Sequence, residues 1–158
     1  MYVFGLNLSA ADLWLLGICG ALILVLFSFA LHRYNAFRAA ATTFRSKVLT
    51  ELESIYPLPT NWPGNMQIDP FLRSKFPKVQ SAVEEFKMCL PKRRQKMIIN
   101  DWVEYYSANG DNRCQCYHHY MPFINTSVVG GKIITDSNSN IYKENFKHNV
   151  TKLLSFAK

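Results

Sequence analysis

The sequence predicts a mostly α protein, with one N-terminal transmembrane helix continuing into a small helical cytoplasmic domain, with or without one short β-hairpin. Three observations carry that prediction. Leu13 to Leu31 holds nineteen residues without a charge. Apolar residues recur at intervals of three and four in several later stretches, the spacing of a helix with one buried face. Prolines fall between those stretches, where they end one helix and can open the next.

The uncharged run reads LWLLGICGALILVLFSFAL, with Ser28 as its only plainly polar side chain. As a helix it measures about 28 Å, the thickness of a bilayer's hydrocarbon core. It is apolar around its whole circumference, so no stripe is left for water. A buried helix in a soluble protein would need a large core around it, and the remaining chain is small and charged. Residues 1–12 form an outer N-terminal tail, in which Ser9 or Asp12 can cap the helix through a short side-chain acceptor. Gly17, Ala21 and Ser28 share one face of the span, where small side chains would let a second copy approach to form a homodimer. Against that stands the ordinary abundance of small residues in membrane spans.

Orientation follows from the flanks. All 18 Lys and Arg residues and all acids but Asp12 follow the span, which gives the segment from His32 onward a formal charge of +8. Arg33, Arg38, Arg45 and Lys47 lie just beyond it. Basic residues near a span stay cytoplasmic, so the expectation is an inner-membrane, single-pass chain with its N-terminus out and C-terminus in. A cleaved signal peptide fits poorly, because no basic segment precedes the apolar run and no small-residue cleavage site closely follows it.

After the span, Phe37, Ala41, Phe44, Val48, Leu52 and Ile55 make one apolar stripe. A single rod is therefore expected from about Asp12 to Tyr56, with residues 32–56 as its juxtamembrane part. Pro57-Leu58-Pro59 ends it and leaves residues 57–158 as the compact domain. Asp69-Pro70 reads as a cap and first-turn proline for a short helix over Phe71 to Lys75, and Phe76-Pro77 as the opening of a second. That second helix buries Val79, Ala82, Val83, Phe86 and Leu90, with Cys89 beside them. Pro91 starts another, whose apolar face is Ile98, Ile99, Trp102, Val103 and Tyr106. Arg113 to Asn125 fits either an alternating strand or a short helix. Val128 to Ile134 reads as two short strands around Gly130-Gly131. A last helix, capped within Asp136 to Asn140, turns Tyr142, Phe146, Val150, Leu153 and Ala157 inward.

Few residues point to chemistry. Lys92, Arg93, Arg94 and Lys96 are the densest charge run, fitted to an anionic lipid surface or an acidic protein. Nucleic acid is disfavoured, since no binding module or aromatic platform accompanies the run. Solvated charges at a helix turn are the plainer reading. Cys114, Cys116, His118 and His119 are good zinc ligands by type, completed by Cys89 or His148. Their C-x-C spacing is not that of a structural zinc turn, and buried thiols in a small core are the alternative. Cys19, Cys89, Cys114 and Cys116 do not make a disulfide framework. Trp102, Tyr105 and Tyr106 read as core, with Asp101 and Glu104 in water. No nucleophile elbow, phosphate loop, dinucleotide turn or zinc-protease helix is present, so enzymatic activity has no positive support. Asn125-Thr126-Ser127 and Asn149-Val150-Thr151 match the glycosylation pattern, which is silent on the cytoplasmic side.

The layout resembles that of small bitopic bacterial membrane proteins, in architecture alone. The function expected is a membrane-tethered interaction or accessory module with a basic surface. The alternative is a metal-binding or redox domain built on the Cys114–His119 cluster.

Overall fold

Helix α1 (Ala10–Glu51) dominates the chain at 42 residues. The computed structural model describes the backbone of residues 2–3, 6–7, 10–57, 67–107, 115–121, 124–129, 132–137 and 141–158. Side chains are described for residues 13–57, 67–107, 115–121 and 141–158. The chain divides into two compact units, Met1–Ala39 and Ala40–Lys158.

In the first unit, β1 (Tyr2–Val3) pairs antiparallel with β2 (Leu6–Asn7) ahead of α1. Every described side chain from Leu13 to Ala36 is exposed. The apolar window reaches a mean hydropathy of 2.5 with 0% of it buried inside the protein. Among the described residues α1 is the one helix long and apolar enough to cross a membrane. Ser9 lies outside the described residues, as does the side chain of Asp12, so the expected cap does too.

The second unit begins inside α1. Ala41, Phe44, Val48, Leu52 and Ile55 are all buried, as the periodicity predicts, while Phe37 at the head of the expected stripe is half-buried. The helix stops at Glu51, five residues short of the expected end. The Leu52 carbonyl then accepts the N–H groups of both Ile55 (2.9 Å) and Tyr56 (2.8 Å), tightening the chain into turns. The Tyr56–Pro57 peptide bond that follows is cis.

Helix α2 (Ile68–Lys87) corrects the expectation of two short helices, because Pro77 lies inside it. Pro77 forfeits one hydrogen bond, to the Arg73 carbonyl, at a cost of about 3 kcal/mol in a bare helix. What carries the helix across is burial. Ile68, Leu72, Val79, Val83 and Phe86 are all buried and stay in helical phase on both sides of the proline. Pro77 falls opposite them and is exposed, so its ring meets water. The cap is Gln67, two residues earlier than expected, and Asp69 instead sits in the first turn beside the positive end of the helix dipole.

Helix α3 (Lys92–Tyr106) follows Pro91 and buries Ile98, Trp102, Tyr105 and Tyr106. After it, the Cys116 N–H bonds to the Tyr106 carbonyl at 2.8 Å. His118–Tyr120 then forms a single 3-10 turn, so the strand alternative does not continue through His118. At the backbone level β3 (Ile124–Val129) pairs antiparallel with β4 (Lys132–Ser137), in register from Ile124–Ser137 to Val129–Lys132. Gly130-Gly131 and residues 138–140 lie outside the described residues; of the expected cap segment Asp136 to Asn140, Asp136 and Ser137 belong to β4 and the rest lies outside the described residues. Helix α4 (Ile141–Ser155) buries Tyr142, Phe146, Val150, Leu153 and Leu154, with Ala157 buried just beyond it.

Side-chain pairs set how the second unit's helices run. Phe44 stacks on Phe86 with centroids 4.6 Å apart and planes 9° from parallel. Lys47 bonds Glu85 at 2.5 Å, while Glu51 accepts from Lys78 at 2.9 Å and Lys75 at 3.1 Å. Rising numbers on α1 thus meet falling numbers on α2, so the two are antiparallel. Phe76 stacks on Trp102 at 5.2 Å and meets Tyr106 edge-on at 5.3 Å, tying α2 to α3. Lys152 bridges Asp101 (2.9 Å) and Glu104 (2.6 Å), and Arg94 reaches the Phe156 carbonyl at 3.2 Å. Helix α4 therefore runs antiparallel to α3.

Candidate interaction surface

The basic run occupies the first turns of α3, and its members divide into two kinds. Arg94 is half-buried, donates to the Phe156 carbonyl at 3.2 Å and lies 5.5 Å from the centre of the Phe156 ring. A guanidinium held both by a carbonyl and by an aromatic face is part of the packing, so Arg94 fastens α3 to the end of the chain. Gln95 likewise closes the α2–α3 turn through the Leu90 carbonyl at 2.8 Å. Lys92, Arg93 and Lys96 are exposed. Among the described residues none of the ion pairs engages them. Two large apolar side chains stand beside them, Met88 at 76% and Met97 at 49% exposure. Cys89, expected on the buried side, is exposed, because α2 ends at Lys87 and the chain turns before Leu90 goes inward.

A groove of about 380 Å³ lies between α1 and α2, lined by Ser46, Lys47, Thr50, Glu51, Lys78 and Ser81. A smaller one of about 200 Å³ continues beside Lys47, with Ala40 and Cys89 both in its wall. The Lys78 and Lys75 ammonium groups hold the Glu51 carboxyl below its ordinary pKa against some desolvation, and Lys47 does the same for Glu85. These lysines are committed to carboxylates, so the grooves carry no free charge that would draw an ionic ligand.

Three of the four candidate metal ligands are placed. Cys116 is half-buried, His118 is exposed and His119 is half-buried, while Cys114 lies outside the described residues. Among the described residues no three His, Cys, Asp or Glu side chains gather as a metal site would require, and His148 is exposed on α4. His119 instead lies against Tyr120, ring centroids 3.8 Å apart, with both ring nitrogens buried and without a direct hydrogen bond. Burial pushes its pKa down. The nearby carbonyls of Tyr105, Cys116 and Glu104 oppose that shift without meeting hydrogen-bond geometry.

Sequence reasoning missed what surrounds that histidine. Tyr105, Tyr117 and Tyr120 are buried together, and desolvation raises all three phenol pKa values. Asn149 donates to the Tyr120 hydroxyl at 2.8 Å, which puts the asparagine of one glycosylation match into the packing. The Tyr117 hydroxyl has no partner among the described residues. Tyrosines three apart beside an aromatic helix face were the available signal. Of the two acids expected in water, Glu104 is exposed and Asp101 is largely covered, and both pair with Lys152, whose pKa they raise.

In the first unit, Gly17 and Ala21 line a shallow groove with Leu13, Trp14 and Ile18. A methyl group added at Gly17 would meet nothing within 4 Å, so this face is open. Ser28 is also exposed.

The folded class is thus an N-terminal apolar helix followed by a small, mostly helical unit with a cationic corner. Comparison with family models, curated proteins and solved structures returned no match.

Proposed function

We propose that this chain is a single-span membrane protein whose folded unit, held on the cytoplasmic side, acts as an interaction module through the exposed cations Lys92, Arg93 and Lys96. The observation that supports it most is the bare apolar helix. A window of mean hydropathy 2.5 with nothing from its own chain against it has no favourable place in water. The charge asymmetry supports the N-out, C-in orientation in an inner membrane. The β3–β4 ladder belongs to the cytoplasmic part in this reading, and the open Gly17–Ala21 face is available for pairing of two copies within the bilayer.

Alkaline carbonate extraction of membranes, followed by intact mass, tests the span. A chain retained in the pellet at full mass supports it, whereas release into the supernatant or loss of the N-terminal segment overturns it. On intact cells, Cys89 should resist an impermeant thiol reagent and react after permeabilisation; labelling without permeabilisation would reverse the orientation. For the interaction surface, Lys92→Glu, Arg93→Glu and Lys96→Glu together should abolish binding of the anionic partner. Arg94 is left in place because it holds α3 to Phe156.

A further inference from the structure

We propose that the corner between α2 and α3 seats on the anionic headgroups of the same bilayer that holds Leu13–Leu31, an inference that rests on the membrane-tether reading above. The first support is position. Because α1 and α2 run antiparallel, the end of α2 lies level with the point where the chain enters the second unit, and Ala40 and Cys89 share one pocket wall. Only residues 32–39 separate that entry point from Leu31. Fully extended, such a connection spans about 30 Å, and as helix less than half of that. The opposite end of the bundle, where α4 begins, has no such constraint.

The second support is chemistry. From Met88 to Asn100 the sequence MCLPKRRQKMIIN contains no acid. The acids that flank this stretch, Glu84 and Glu85 before it and Asp101 after it, are engaged by Lys87, Lys47 and Lys152 and do not neutralise the corner. Arg93, Lys96 and Met97 share the outward face of α3, with Lys92 and Met88 at the turn. A bilayer surface offers negative headgroups above an apolar layer, and cations flanked by exposed methionines match both. An acidic protein surface would also be met by these cations, so the choice of lipid rests on the short stretch of chain between this corner's level and the span. Each cation near such a surface strengthens attachment about fivefold, so the three together supply about a hundredfold.

The test uses the full chain in nanodiscs, with Cys19→Ser, Cys114→Ser and Cys116→Ser leaving Cys89 as the only thiol. Its rate of reaction with an uncharged polyethylene-glycol maleimide is compared in discs of phosphatidylcholine and in discs carrying phosphatidylglycerol. The control adds Cys89→Ser and Glu144→Cys, placing the thiol at the far end of the bundle. Seating on the headgroups predicts at least about fivefold slower labelling of Cys89 in the anionic discs, no change at position 144, and recovery with Lys92→Glu, Arg93→Glu and Lys96→Glu or with high salt. Equal rates at Cys89 in the two discs, or equal slowing at both positions, overturn the proposal. If equal rates accompany release of a co-purifying acidic protein by the charge reversals, the surface belongs to a protein and the tether reading stands. A chain that fails to enter discs at all removes both.

Discussion

Phe44 and His119 show how much depends on single side chains in a unit this small. Phe44 is 2% exposed and stacked on Phe86, so Phe44→Ala removes both an aromatic pair and the volume that α1 contributes between its neighbours. A loss of about 3–5 kcal/mol is expected, read as a shift in the urea midpoint of the detergent-solubilised chain. His119 acts through pH. Its folded pKa lies below its unfolded value of about 6.5, so the unfolded chain takes up the proton first as the solution is acidified. Its stabilising effect is therefore intact above about pH 6.5 and declines as the pH drops, until the folded imidazole itself protonates. The lowered carboxyl pKa values of Glu51 and Glu85 lead to losses only in a more acidic window, below about 4.5, which keeps the two effects apart. His119→Leu should flatten the dependence of the melting temperature on pH just below about 6.5, and it costs little at neutral pH because no hydrogen bond is lost. A slope unchanged by the substitution would sink this account.

Helices α1 and α2 separate what pattern reveals from what it hides. The Ala41–Ile55 stripe is readable because apolar spacing reports a buried helix face directly, whatever packs on it. Pro77 conceals the continuous helix because the local rule for proline and the phase of the apolar residues point to different boundaries. Ile68, Leu72, Val79, Val83 and Phe86 keep one helical register through the proline, and two independent helices have no reason to preserve it. Pro77→Ala restores the hydrogen bond to Arg73 and should raise stability by about 1 kcal/mol or more, less than the full interior penalty because the unfolded chain also gains freedom. A lower melting temperature instead would mean that the ring contributes contacts. Cys89 and Arg94 were illegible for another reason. Whether a residue just past a helix faces in or out, and whether a cation is solvated or packed, depends on the neighbour that arrives from elsewhere, here Phe156. Glu51 belongs with them, since its partners Lys75 and Lys78 lie on a different helix. Its carboxylate is 16% exposed, but Lys78 remains 66% exposed, so screening limits Glu51→Gln to about 1 kcal/mol or less. Added salt should shrink that difference further.

The place where the folded unit begins ties these levels together. Proline at 57 is the obvious boundary in the sequence, and it is not where the core starts. Ala41, Phe44, Val48, Leu52 and Ile55 are each 6% exposed or less, and all of them precede it. A fragment starting at Pro57 would expose the surfaces of Phe86 and its neighbours that this stripe covers, while a fragment starting at Ala40 keeps them covered. Each large side chain in the stripe is worth about 1.5–3 kcal/mol of burial, and a domain of this size has about 5–15 kcal/mol in total. Removing four of them therefore consumes most or all of the margin. Residues 40–158 should melt cooperatively and remain in the supernatant after high-speed centrifugation, and residues 57–158 should show no cooperative transition or should aggregate. If the shorter fragment instead folds with the same midpoint, the second half of α1 is a bystander and the juxtamembrane helix is separable from the domain. If the longer one pellets without detergent, the apolar segment is not what confers membrane behaviour.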